Sequence, residues 1–98
     1  MEKKTVLGEA FGGSAVFKIL DVLMDHPTLE YSKEDLAEVT GLSESTVHDN
    51  WENIENIDVV EESREYEGEQ LYRFNQDSKI VEYLFKLDQE LRTYQEAF

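Results

Sequence analysis

Two serines, Ser32 and Ser43, each open a stretch of helical spacing, and Gly41 stands between the two stretches. Ser32 followed by Asp35 makes a capping box in which aspartate replaces the usual glutamate or glutamine. Leu36, Ala37 and Val39 give this first helix a short buried face, and Gly41 supplies the left-handed residue that stops it. Ser43 caps the second helix, whose Val47, Trp51 and Ile54 recur at i, i+4 and i+7. A short helix, a tight glycine-containing turn and a longer helix leave the second helix one way to lie, with its apolar side on the first and its polar side outward. This is the helix-turn-helix arrangement.

The flanking segments narrow it further. Upstream, Val16, Ile19, Leu20, Leu23 and Met24 form one stripe of a helix capped by Ser14. It ends at His26-Pro27, because proline disfavours a helical residue before it. Downstream, Ile57–Ser63 reads as a strand rich in β-branched residues. Leu71–Phe74 reads as its partner, with Leu71 and Arg73 on one face and Tyr72 and Phe74 on the other. Gly68 places the turn within residues 64–70, so a hairpin, or wing, follows the second helix.

Residues 77–96 are the last and longest helix, with Ile80, Leu84, Leu87, Leu91, Tyr94 and Phe98 in a heptad-like seam. One small domain buries so long a seam only partly, so the helix is either an intrachain strut or, the favoured reading, a dimer contact. Glu82 with Lys86, Lys86 with Glu90 and Asp88 with Arg92 are i,i+4 pairs expected to support the exposed face. The predicted organisation is an N-terminal segment (1–13), a winged helix-turn-helix domain (14–75) and a C-terminal helix (76–98). The fold class is mainly α with a small β-hairpin wing, a winged helix-turn-helix with a long C-terminal dimerisation helix.

Several functions are set aside by composition. The chain has no cysteine, which removes disulfides, thiol catalysis and cysteine-ligated metal sites. No apolar run approaches the roughly 18 residues of a membrane span. Lys3 and Lys4 are not followed by the apolar stretch of a secretory signal, so a cytoplasmic protein without a membrane partner is expected. The two histidines, His26 and His48, lie on different helices, and no metal or cofactor is expected. Glu61 and Glu62 point to opposite faces of a strand, and no phosphate-binding glycine motif or nucleophile–base spacing is present, so no enzyme is expected.

The chain resembles the archaeal winged helix-turn-helix transcription regulators related to the MarR and ArsR groups. The resemblance rests on Phe17–Leu23, Tyr31–Ala37, Gly41–Val47 and Leu71–Asn75, and covers residues 14 to about 91. It implies a homodimer with the recognition helix (43–56) in the major groove of double-stranded DNA. The wing (63–71) is then expected on the backbone or in the minor groove. Ser43, Glu44, Ser45, Thr46, His48, Asp49 and Asn50 are the expected recognition-helix contacts. Lys33, Arg64, Tyr66, Gln70 and Arg73 are those of the wing and backbone. Asp58 occupies the place where relatives usually carry a glycine after the helix.

Charge departs from that pattern. Residues 43–57 contain no arginine or lysine, and residues 41–75 hold ten acids against Arg64 and Arg73. More than half of the net charge of −14 therefore falls in the part expected to face DNA. Base reading remains chemically open, with Asn50 suited to adenine, Glu44 or Asp49 to cytosine N4, and Ser45 and Thr46 to phosphates or a thymine methyl. Phosphate neutralisation, which supplies most affinity, falls to Lys33, Arg64, Arg73 and to Lys3, Lys4 and Lys79. The alternative expectation is an acidic winged-helix interaction module that binds a basic protein partner rather than DNA.

Overall fold

The computed structural model describes residues 7–96. A single helical turn, α1 (Leu7–Ala10), precedes α2 (Ala15–Asp25), α3 (Lys33–Thr40) and α4 (Glu44–Asn56). The hairpin strands β1 (Val60–Tyr66) and β2 (Glu69–Phe74) follow, and α5 (Lys79–Glu96) completes the chain. No helix among the described residues is long and apolar enough to cross a membrane.

The helix starts are where local chemistry places them. The Ser14 hydroxyl accepts from the Phe17 amide, and the Ser43 hydroxyl from the Thr46 amide. Ser32 and Asp35 form the full reciprocal box, each side chain accepting from the other's backbone N–H at 3.0 Å. Gly41 closes α3 at φ 77°. After α4, Asp58 adopts φ 60°, the left-handed conformation expected at that position. This break delays the first strand, which starts at Val60 rather than Ile57.

β1 and β2 are antiparallel, with Val60 opposite Phe74 and Tyr66 opposite Glu69. Glu67 (φ 50°) and Gly68 (φ 83°) form a two-residue turn with both central residues left-handed, tighter than the loop expected over 64–70. A bulge interrupts the register between Glu62 and Glu65. Tyr31 adds a one-residue bridge to the sheet, exchanging both backbone hydrogen bonds with Tyr72 at 2.8 and 2.7 Å. This bridge ties the wing to the α2–α3 loop.

The core draws on almost every element: Ile19, Leu20 and Leu23 from α2, Leu36 from α3, Val47, Trp51 and Ile54 from α4, then Val59, Phe74 and Val81. Two sequence expectations need correction. Val39 is 59% exposed, because α3 is covered on one side only and Leu36 and Ala37 fill that side. The α5 seam also divides. Val81 and Asp88 are buried and Leu84 and Leu91 half-buried, whereas Ile80, Leu87 and Tyr94 stay exposed together with Tyr83. The helix is rotated so that Val81, absent from the heptad reading, faces the core. The Asp88–Arg92 pair (2.9 Å) consequently lies on the inner side, with Asp88 buried, and not on the outer face. Phe98 lies outside the described residues, as do Lys3 and Lys4.

Candidate nucleic-acid interface

Because Val47, Trp51 and Ile54 anchor α4 in the core, the opposite side of that helix is presented outward. Ser45, His48, Asp49 and Glu52 are exposed along it at i, i+3, i+4 and i+7. Glu44 is exposed in the first turn. The remaining expected residues are turned into the helix itself. Ser43 bonds the Thr46 amide at 3.1 Å and the Thr46 hydroxyl at 2.8 Å, with the Ser45 hydroxyl at 3.2 Å. The Asn50 amide donates to the Thr46 carbonyl at 2.8 Å and is half-buried. Glu52 was not among the sequence candidates, although its position three residues beyond Asp49 marks it.

Trp51 seats the helix against the wing. Its ring meets Tyr72 edge-on with centroids 4.7 Å apart. Burial holds the Tyr72 hydroxyl above the ordinary tyrosine value, with the nearby charges of Glu55 and Glu62 adding to the effect. On the outer side Lys33 Nζ lies 5.4 Å from the centre of the same indole. Lys33 thereby stands where two open grooves meet. One runs along α4 beside His48, Asp49, Glu52 and Glu55; the other runs between Ser32, Glu34 and the strand residues Glu69, Gln70 and Tyr72. Among the described residues, Lys33 is the sole lysine or arginine lining either groove.

The wing arginines are already paired. Arg64 Nε lies 3.2 Å from each carboxylate oxygen of Glu30, and its guanidinium stacks over Tyr66 at 5.4 Å. The Ser63 hydroxyl also donates to Glu30, at 2.6 Å. That hydrogen bond, aided by Arg64, holds the Glu30 carboxyl below its ordinary pKa. Arg73 Nε sits 2.7 Å from Glu61 across the base of the hairpin. Gln70 is folded onto the wing backbone, donating to the Arg64 and Leu71 carbonyls. Lys79, at the start of α5, is 3.6 Å from Glu82. Tyr66, at the wing turn, is the exposed aromatic of this face.

Acids also meet one another here. Glu34 of α3 and Glu69 of β2 approach carboxyl to carboxyl, and their shared hydrogen bond and mutual repulsion raise the Glu34 pKa, with Glu44 and Asp35 adding to the effect. The surface formed by α3, α4 and the wing is therefore acidic, with its arginines neutralised at short range. Among the described residues no group of three or more histidines and acids is placed to hold a metal ion.

No protein-family model and no curated protein matches the chain. Among solved structures it is similar to the solution NMR structure of a homodimeric winged helix-turn-helix DNA-binding domain from Mycobacterium bovis, described as a possible ArsR-family transcriptional regulator. The two share 28% sequence identity and superpose with a TM-score of 0.61, over 91% of this chain and 77% of the other. The fold is thus a winged helix-turn-helix, with α3 and α4 as the helix-turn-helix and the β1–β2 hairpin as the wing.

Proposed function

We propose that this protein is a homodimeric, sequence-specific DNA-binding transcription regulator of ArsR-like type. The observation that carries the reading is the outward polar ridge of α4 beside a wing, on the same fold as a DNA-binding domain that is itself a homodimer. In this reading α4 enters the major groove, and the wing tip with Tyr66 and Arg64 contacts the backbone or minor groove. The exposed Ile80, Tyr83, Leu87 and Tyr94 of α5 join two protomers, setting two recognition helices about one DNA turn apart on a palindromic operator. Regulation is then steric, by occupying or freeing a promoter. Affinity depends strongly on the second protomer, since few cations are available to displace counterions.

The test is capture of random duplex DNA on the immobilised protein at low and at molar salt, followed by sequencing. An enriched palindrome at either salt is the expected outcome. A folded protein that enriches nothing at both salts would remove the DNA reading. A second reading, an interaction module for a basic protein, is favoured by the ion-paired state of Arg64 and Arg73. It predicts that Glu44→Lys with Asp49→Lys abolishes partner binding.

A further inference from the structure

Two of the four exposed side chains on the outward ridge of α4, Asp49 and Glu52, are carboxylates, and this limits which bases they can read. Asp49 and Glu52 are exposed, lie on the side opposite Val47, Trp51 and Ile54, and line the open groove that Lys33 borders. An ionised carboxylate only accepts hydrogen bonds. In the major groove guanine offers the acceptors N7 and O6, which repel it, and thymine offers O4 and a methyl group. Adenine offers the N6 amino donor beside the N7 acceptor, whereas cytosine offers the N4 amino donor alone. Arginine and lysine, the usual readers of guanine, are absent from residues 43–57. The Asn50 amide, the residue type that reads adenine, is turned back onto Thr46.

We propose that Asp49 and Glu52 are the specificity-determining residues of the recognition helix and that they select cytosine, through its N4 amino group, at fixed positions of each half-site. This inference rests on the placement of α4 in the major groove proposed above. It explains how an acidic helix face contributes to binding: a carboxylate facing cytosine N4 gains a charge-assisted hydrogen bond, adenine sets its N7 acceptor against its N6 donor, and guanine and thymine leave the carboxylate desolvated and unpaired. The acidic face thus works by rejecting wrong sequences, with discrimination outweighing raw affinity.

The experiment is selection from random duplex DNA with the full chain and with Asp49→Asn and Glu52→Gln, each variant checked for folding by circular dichroism. The wild type is expected to enrich a motif with cytosine preferred about tenfold or more at one position per residue. Asp49→Asn should move its position from cytosine to adenine, because an amide can pair both N6 and N7 of adenine, and leave the rest of the motif unchanged. Glu52→Gln should shift a different position in the same way. A wild-type motif that both folded variants reproduce unchanged would overturn the assignment while leaving the DNA-binding reading intact. Enrichment of no motif by the wild type at low and molar salt would overturn that reading and this inference together.

Discussion

Arg64 Nε is 3.2 Å from both oxygens of the Glu30 carboxylate, 34 residues earlier in the chain, so the cation nearest the wing tip is held by the body of the domain. A DNA phosphate reaching Arg64 has to compete with Glu30. Glu30→Gln is therefore expected to raise DNA affinity several-fold at low salt and to steepen the dependence of log K on log salt by about 1. Arg64→Ala in that background should cancel both changes, and Arg64→Ala with Arg73→Ala should flatten the slope of the wild type. Fluorescence anisotropy titrations over a salt series would measure this; equal slopes for wild type and Glu30→Gln would exclude Arg64 as a phosphate contact.

The carboxyls that interact with the wing carry opposite pH signatures. Glu34 is raised above the ordinary 4.5 mainly by Glu69, so its contribution to stability is full below that value and is lost as pH rises through its folded pKa. Glu30 is lowered from 4.5, chiefly by the Ser63 hydroxyl and then Arg64, so its contribution is present above that value and is lost as pH falls through its folded pKa. Glu34→Gln should accordingly raise Tm at neutral pH, with the gain vanishing as Glu34 itself becomes protonated. Glu30→Gln should lower Tm at neutral pH and converge on the wild type in acid. Thermal melts between pH 3 and 8 test both signs, and a gain from Glu34→Gln that persists in acid would contradict the repulsion with Glu69.

Gly8 is buried where α1 meets α2, and its amide donates to Asp21 Oδ2 at 2.8 Å. A Cβ at this position would collide with that carboxylate. Gly8→Ala is expected to destabilise the fold by about 1–3 kcal/mol, a drop of roughly 4–8 °C in Tm per kcal/mol for a domain of this size. Chemical denaturation with an unchanged midpoint would show that α1 does not approach α2 so closely.

On α5, Leu87 lies within the exposed apolar stripe while Val81 is buried in the core. Leu87→Glu should give a folded monomer, with half the mass in sedimentation equilibrium and an unchanged circular dichroism spectrum. A Leu87→Glu protein that still sediments as a dimer would move the dimer contact elsewhere.

The net charge of −14 opposes folding through self-repulsion, which salt screens. Tm is expected to rise from low to molar potassium chloride. A flat or falling Tm over that range would indicate that the short ion pairs, which salt weakens, outweigh the repulsion.

Several features were legible in the residues alone because the forces behind them act over a few positions. Ser14, Ser32 with Asp35, and Ser43 cap helices by bonding amides three residues away, and Val47, Trp51 and Ile54 share a face by helical periodicity. Asp58 announced its left-handed break by standing where a glycine is usual. The order of elements, and with it the fold, followed from these local signals. The outward ridge of α4 followed as well, except that Glu52 also belongs to it and Asn50 is turned inward.

What periodicity could not decide was the rotation of α5. Its sequence offers an apolar stripe at Ile80, Tyr83, Leu87 and Tyr94 beside the inner face at Val81, Leu84, Asp88 and Leu91, and only packing against the other helices selects which of them is buried. The electrostatics of the wing were equally hidden. Arg64 with Glu30, Arg73 with Glu61 and Glu34 with Glu69 join residues far apart in the chain, and the charge count is the same whether or not they meet. The sequence alone therefore determined the helices, the turn and the acidity of this protein. The tertiary structure decided which charges neutralise one another, because Coulomb interactions between side chains depend on distances that exist only once the fold has formed.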